Sequence, residues 1–192
     1  MYAILGEDVS DTESLKAIVR LIHKDNSIPI KSKGFSGCGE MIRKGKSYFE
    51  TYRKLGVKYF IIAYDADRAD PAARRAEALE EVIKPSKVEK YCIVVPVQEL
   101  EAWILADLDA IGRAKVCSGW KPCKPIASPE RISSPKEHLK KLTRDDKDRS
   151  RYKHAVNNPV VAACLDLNIV AKKCPSFRPL RDFVNQIKAG TI

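Results

Sequence analysis

The stretch Val57–Asp67, VKYFIIAYDAD, decides the fold. It is apolar or aromatic almost throughout, as a strand covered on both faces of a parallel sheet must be. It ends in two aspartates, Asp65 and Asp67, one residue apart. Ligands of open α/β sheets bind just beyond the carboxyl ends of the strands. Carboxylates placed there suit a hard divalent cation.

Two more stretches share this design. YAILG (2–6) is a short strand that runs into Glu7 and Asp8. KYCIVVPV (90–97) is a buried strand that runs into Glu99 and Glu101. Helical patterns separate the strands. Ser10-Asp11-Thr12-Glu13 fits a capping box, with Ser10 at the N-cap and Glu13 at N3. Leu15, Ile18, Val19 and Ile22 follow at helical spacing. Ser27–Lys33 fits a second strand, and 40–55 a second helix stopped by Gly56. Asp70-Pro71 starts a third helix, with Ala72, Ala76, Leu79 and Ile83 inward. Alternating strands and helices with short links predict an α/β fold: an open, mainly parallel, Rossmann-like sheet flanked by helices.

In such a sheet the acids of three strand ends share one edge. Glu7, Asp65, Asp67 and Glu101 are the candidate site residues, with Asp8 and Asp11 nearby. Asp11 serves equally well as a helix cap. Clustered carboxylates raise one another's pKa unless a cation neutralises them. Oxygen ligands with open positions suit Mg²⁺ or Mn²⁺, which polarises a phosphoryl oxygen or lowers the pKa of a bound water. Trp103, in line with Leu100, Ile104 and Leu108, reads as a core anchor.

The chain carries 35 Lys and Arg against 25 Asp and Glu over 192 residues, a net charge of +10. The excess is not spread evenly. Residues 1–111 hold 17 basic and 18 acidic residues, whereas 112–192 hold 18 basic and 7 acidic. This divides the chain into a metal-binding core (1–111) and a basic loop with a helical C-terminal subdomain packed on it (112–192). Pro135–Leu142, Asn158–Leu165 and Ser176–Ile187 carry helical patterns there. A basic segment beside an acidic centre points to a polyanionic partner, nucleic acid above all. Lys140, Lys141, Arg149, Arg151 and Lys153 are candidates to grip its backbone. Arg68, Arg74 and Arg75, just after the DxD, either contact phosphates or pair with Asp70, Glu77 and Glu80.

No apolar run approaches the ~18 residues of a membrane span. Met1 leads straight into a strand, so a cytoplasmic protein without a signal peptide is expected. The six cysteines form no CxxC pair and read as free thiols. A zinc site from Cys117 and Cys123 with His138 or Cys174 has no recognised spacing. No G-x-G-x-x-G follows a strand, which argues against dinucleotide binding.

Glu7-Asp8-Val9-Ser10-Asp11 and Asp65-Ala66-Asp67 resemble the two acidic motifs of the TOPRIM domain. That domain is the metal-binding fold of topoisomerases, bacterial primases and OLD-family nucleases. The segment 96–107, with Glu101-Ala102-Trp103 inside it, and Cys174-Pro175-Ser176-Phe177-Arg178 resemble a small standalone TOPRIM-like group suspected of roles in defence against mobile DNA. The resemblance implies that Glu7 is a general acid/base or metal ligand and that Asp65 and Asp67 bind metal. Asp8 departs from the pattern, which has Gly there. The function so implied is Mg²⁺- or Mn²⁺-dependent cleavage of phosphodiester bonds in DNA or RNA. The alternative is a non-catalytic nucleic-acid- or nucleotide-binding component that works with a partner such as an ATPase encoded nearby.

Overall fold

The apolar runs pair as a four-stranded, all-parallel sheet in a computed structural model that describes residues 1–121 and 123–192. The strands are β1 (Tyr2–Gly6), β2 (Ile30–Gly34), β3 (Tyr59–Ala63) and β4 (Tyr91–Val94), in the order β2-β1-β3-β4. Gly6 lies opposite Gly34 on one side and Ala63 on the other, and Ala63 lies opposite Val94. The four carboxyl ends are therefore level. β1 is buried along its whole length, whereas the edge strand β2 is only half-buried and carries Lys31, Ser32 and Lys33.

Right-handed crossovers decide where the helices go. The chain moves from β1 to β2 in one direction, and from β2 over to β3 and β4 in the other. Helix α1 (Val9–His23) therefore covers one face, and α2 (Cys38–Lys54) and α3 (Pro71–Ala78) cover the opposite one. Strand side chains alternate between the faces. Tyr2, Ile4, Ile61 and Ala63 pack with Leu15, Ile18, Val19 and Ile22 of α1. Ala3, Leu5, Phe60 and Ile62 pack with Met41 and Phe49 of α2 and with Val82.

Helix α3 continues through a π-helical turn, Leu79–Ile83, into a last turn, α4 (Lys84–Ser86). The π turn alters the expected face. Ala78, Val82 and Ile83 are buried, while Ala72 and Ala76 are exposed. One extra residue per turn rotates everything upstream about the helix axis, so the spacing Ala72-Ala76-Leu79-Ile83 does not form the inward stripe.

The α1 face is completed by the rest of the chain: α5 (Glu101–Ala106), α6 (Asp109–Ala114), α7 (Pro135–Leu142), α8 (His154–Ala162), α9 (Leu167–Lys173) and α10 (Arg178–Lys188). Trp103, Leu139, Val161, Val170, Phe177 and Leu180 belong to the same apolar cluster as β1 and α1. Residues on both sides of Gly112 thus share one core on this face. Helix α8 begins four residues before the expected Asn158, and α9 lies in a stretch where no helix was expected.

The start of α1 also differs from expectation. Its N-cap is Asp8, whose side chain accepts from the Asp11 amide at 2.8 Å. Ser10 is instead buried inside the first turn, where its hydroxyl donates to the His154 carbonyl of α8 at 3.2 Å. Glu13 pairs with Lys16 at 2.8 Å rather than closing a capping box. An aspartate two residues nearer the strand caps the helix first, which frees Ser10 to dock α8. Among the described residues no helix is long and apolar enough to cross a membrane.

Candidate metal centre

The strand order has its switch point between β1 and β3. The chain leaves β1 towards one edge of the sheet and β3 towards the other, which opens a crevice outside their carboxyl ends. Glu7 directly follows β1, and Asp65 lies two residues beyond β3. The crevice closes on a bond between them: the Asp65 amide donates to Glu7 Oε1 at 2.8 Å. Glu7 Oε2 is left for other work.

Backbone constraints hold both loops. Beyond β3, the Ala66 amide donates to Pro96 O at 3.0 Å and the Asp67 amide to Gln98 O at 3.4 Å. Asp67 and Arg68 then adopt left-handed conformations, φ 48° and 69°. Two such residues in succession, neither of them glycine, are unusual and are kept only where surroundings enforce them. The turn leaves Asp65 half-buried and sets Asp67 and Arg68 in solvent. Beyond β1, the loop passes so close to the end of β2 that a Cβ on Gly34 would overlap the backbone of Asp8 and Val9. Only glycine permits that approach.

The acids feel one another strongly. Burial, then the negative charges of Asp11, Glu101, Glu7 and Asp67, pushes the Asp65 carboxyl well above its usual range. Burial and the charges of Asp8, Glu101 and Glu7 push Asp11 up to about 8. Burial likewise raises Glu7, against the opposing bond from the Asp65 amide. Asp11 is therefore a member of the cluster by its side chain, and only its amide takes part in the cap.

Glu101 is in the cluster but turned inward, with 2% of its surface exposed. Its Oε1 accepts from Asn158 Nδ2 at 3.0 Å, and Asn158 Oδ1 accepts from the buried Tyr152 hydroxyl at 2.8 Å. Lys136 Nζ stands 3.9 Å from both Glu101 Oε1 and Glu99 Oε1. Its own backbone amide donates to Glu99 Oε2 at 2.7 Å, so Glu99 caps the first turn of α7. Burial opposes the Lys136 charge, but Glu101, Glu99, Asp65 and Asp11 outweigh it and raise the ammonium's pKa. Lys136 thus stands among the acids. It was not singled out from the sequence.

The motifs that carried the group-level resemblance meet in space. Trp103 is fully buried, donates from Nε1 to Ser176 Oγ at 2.9 Å and meets Phe177 edge-on at 5.1 Å. Asp107 is buried, bonds Arg113 and accepts from the Asp166 amide at 2.7 Å. This pattern fastens the C-terminal helices to the sheet.

The basic candidates divide. Arg74 lies over the Tyr64 ring at 5.5 Å, pairs with Glu77 at 3.4 Å, and its charge reaches Glu7. Arg68 is exposed beside the centre. Arg75 lines a groove along β4 with Tyr91, Cys92 and Phe183, away from the acids. Lys140 pairs with Glu137 at 2.7 Å and Arg149 with Asp145 at 2.9 Å. Lys141 and Lys153 are exposed, and Arg151 donates to the Ser118 carbonyl.

Among the described residues no three Asp, Glu, His or Cys side chains converge as a ready-made cation cage. The suggested grouping of Cys117 and Cys123 with His138 or Cys174 is therefore not assembled, and the six cysteines are free thiols. The donor chemistry at the switch point nonetheless fits a hard cation. It consists of carboxylate oxygens, and burial first, then neighbouring negative charge, raises the proton affinity of Glu7, Asp11 and Asp65. Glu7, Asp65 and Asp67 are the residues that would hold Mg²⁺ or Mn²⁺.

No curated protein and no solved structure matches the chain. Residues 7–186 match the family described as Domain of unknown function (DUF4276), and the chain belongs to that family.

Proposed function

We propose that this DUF4276 protein is a Mg²⁺- or Mn²⁺-dependent phosphodiesterase that cleaves nucleic acid in the cytoplasm, with a TOPRIM-like centre. One observation carries the reading: at the switch point of a parallel sheet Glu7 and Asp65 meet through a 2.8 Å bond, with Asp11, Asp67 and Glu101 near enough for their charges to act on them. Held there, the ion would polarise a phosphoryl oxygen and lower the pKa of a water molecule.

The chain's own residues supply the rest. Glu7 Oε2 accepts a proton from the attacking water. Its raised pKa brings the carboxyl nearer to neutrality, where a general base works best. The Asp65 amide holds Glu7 in place through Oε1. Arg68, exposed at the turn, meets a phosphate of the incoming strand. Lys136 and the buried Asn158–Tyr152 pair keep Glu101 fixed behind the cluster.

The test is cleavage of plasmid, single-stranded DNA and structured RNA with either metal, comparing wild type with Asp65→Ala/Asp67→Ala. Metal-dependent cutting that falls by at least about 100-fold in a variant with native circular dichroism is the expected result. Absence of cutting on every substrate with both metals overturns the reading. The non-catalytic component working with an ATPase then takes its place.

A further inference from the structure

A polar cavity away from the acids lies at the far end of α7. It is bordered by residues 117–121, Cys123 and the turn 142–151, with a volume of about 430 Å³. That falls within the ~300–1,000 Å³ of small-ligand sites. Trp120 forms one wall; Lys121 and Arg151 bring positive charge to it, Asp146 a negative one, and Arg144 is paired with Asp148 at 2.8 Å.

The walls are built. Trp120 is half-buried, and its ring lies against the backbone of α6, where a Cβ on Gly112 would come within 3.2 Å of Cδ1. A side chain at 112 would crowd the indole. Gly119 (φ 68°) turns the loop, and the Trp120 amide closes it on Cys117 O at 3.2 Å. Arg151 bonds the Ser118 carbonyl with Nη1, which leaves further guanidinium donors facing the cavity. Opposite, the Arg144–Ser150 bridge and the Asp145–Arg149 pair shape the turn.

We propose that this cavity seats one unpaired nucleotide of the substrate strand, with its base against Trp120 and its phosphate between Lys121 and Arg151. An aromatic face beside a cluster of cations is the arrangement that holds single strands irrespective of base. A base in a duplex is already stacked and paired and cannot enter a one-sided cavity. The seat is close enough to serve the acidic centre. From Lys136 to Leu142 the axis of α7 rises roughly 9 Å. The inference rests on the phosphodiesterase reading and narrows its substrate to single-stranded nucleic acid.

The test is binding of the full chain to a labelled single strand of about 20 nucleotides, with EDTA present so that no cleavage occurs. Fluorescence anisotropy compares wild type, Trp120→Ala, Trp120→Phe and Lys121→Glu, with the duplex of the same sequence as control. Trp120→Ala is expected to weaken single-strand binding roughly 10-fold or more, with Trp120→Phe near wild type. Lys121→Glu, a change at an exposed position, is expected to weaken it about 5-fold and keeps the test decisive if Trp120→Ala does not fold. Duplex binding should change less than about twofold throughout.

Single-strand affinity unchanged in Trp120→Ala, or in Lys121→Glu where the former does not fold, overturns the proposal. So does an equal loss of duplex binding. Competition by free AMP as effective as that of the strand overturns it too, assigning the cavity to a mononucleotide. Because no cleavage is involved, loss of the phosphodiesterase reading and loss of this seat give separate results.

Discussion

The acids at the switch point and the charges around the turn 142–151 solve opposite problems. Around the turn, several charges have a neighbour of opposite sign: Arg149 with Asp145, Arg144 with Asp148 and, just before it, Lys140 with Glu137. At the switch point, acids are set against acids, and Lys136 is the ammonium that stands among them. The basic excess of the C-terminal part is thus partly spent in local pairs. The acidic centre lies in a part of the chain whose net charge is close to zero. Net charge by segment says where partners are drawn; imbalance within a few ångströms says where chemistry is poised.

Four experiments probe this contrast. The largest effect is expected from Glu101→Ala, which strips Lys136 and Asn158 of their buried partner. Breaking a buried pair in this way costs about 3 kcal/mol, whereas Glu101→Gln, which keeps the acceptor, should cost markedly less. Urea unfolding measures both, and equal losses would show that Oε1 is not the atom that matters. Next comes Gly34→Ala. Its added methyl meets the backbone of Asp8 and Val9, which cannot move without dislodging Glu7, so a loss of about 2 kcal/mol is expected. A melting temperature equal to that of wild type would refute the close approach.

The third experiment is a pH series. Asp11, Asp65, Glu7 and Glu101 are all held above their usual pKa, so the folded protein binds protons more tightly than the unfolded chain. Their contribution to stability is complete when they are protonated and is lost as pH rises, for Asp11 between about 4 and about 8. The melting temperature without metal should fall across that window. Mg²⁺ should restore it more near pH 8 than near pH 5, and Asp11→Asn should flatten the slope. A melting temperature that climbs with pH would contradict the clustering. The smallest effect belongs to Arg149→Ala at the turn. Arg149 is itself exposed, so losing its pair with Asp145 should lower the melting temperature by less than about 2 °C, as for ordinary surface pairs.

Much of this was legible in the sequence where a single periodicity governs. The buried runs 2–6, 59–63 and 91–94 and their acidic ends could be read because strands covered on both faces leave an unbroken apolar signature. Asp70 with Pro71 marked the start of α3 correctly, because cap and proline act locally. What escaped depended on neighbours distant in sequence. Lys136 carries no local signal, since its environment is set by Glu99 and Glu101. Asn158 and Tyr152 look like ordinary polar and aromatic residues until α8 packs on α1. The π turn is one added residue that composition does not reveal. Ser10 was misassigned because two capping patterns overlap and Asp8 wins by position.

Arg151 and Tyr152 are adjacent, yet one faces the outer cavity and the other is buried against Asn158. At this point the chain is neither strand nor helix, and one step along it passes from the outer cavity to the core. That stretch therefore works as a gauge block between two rooms. On the phosphodiesterase reading proposed above, inserting or deleting a single residue at this point is expected to shift where along a strand the bond is cut, even with every acid left in place.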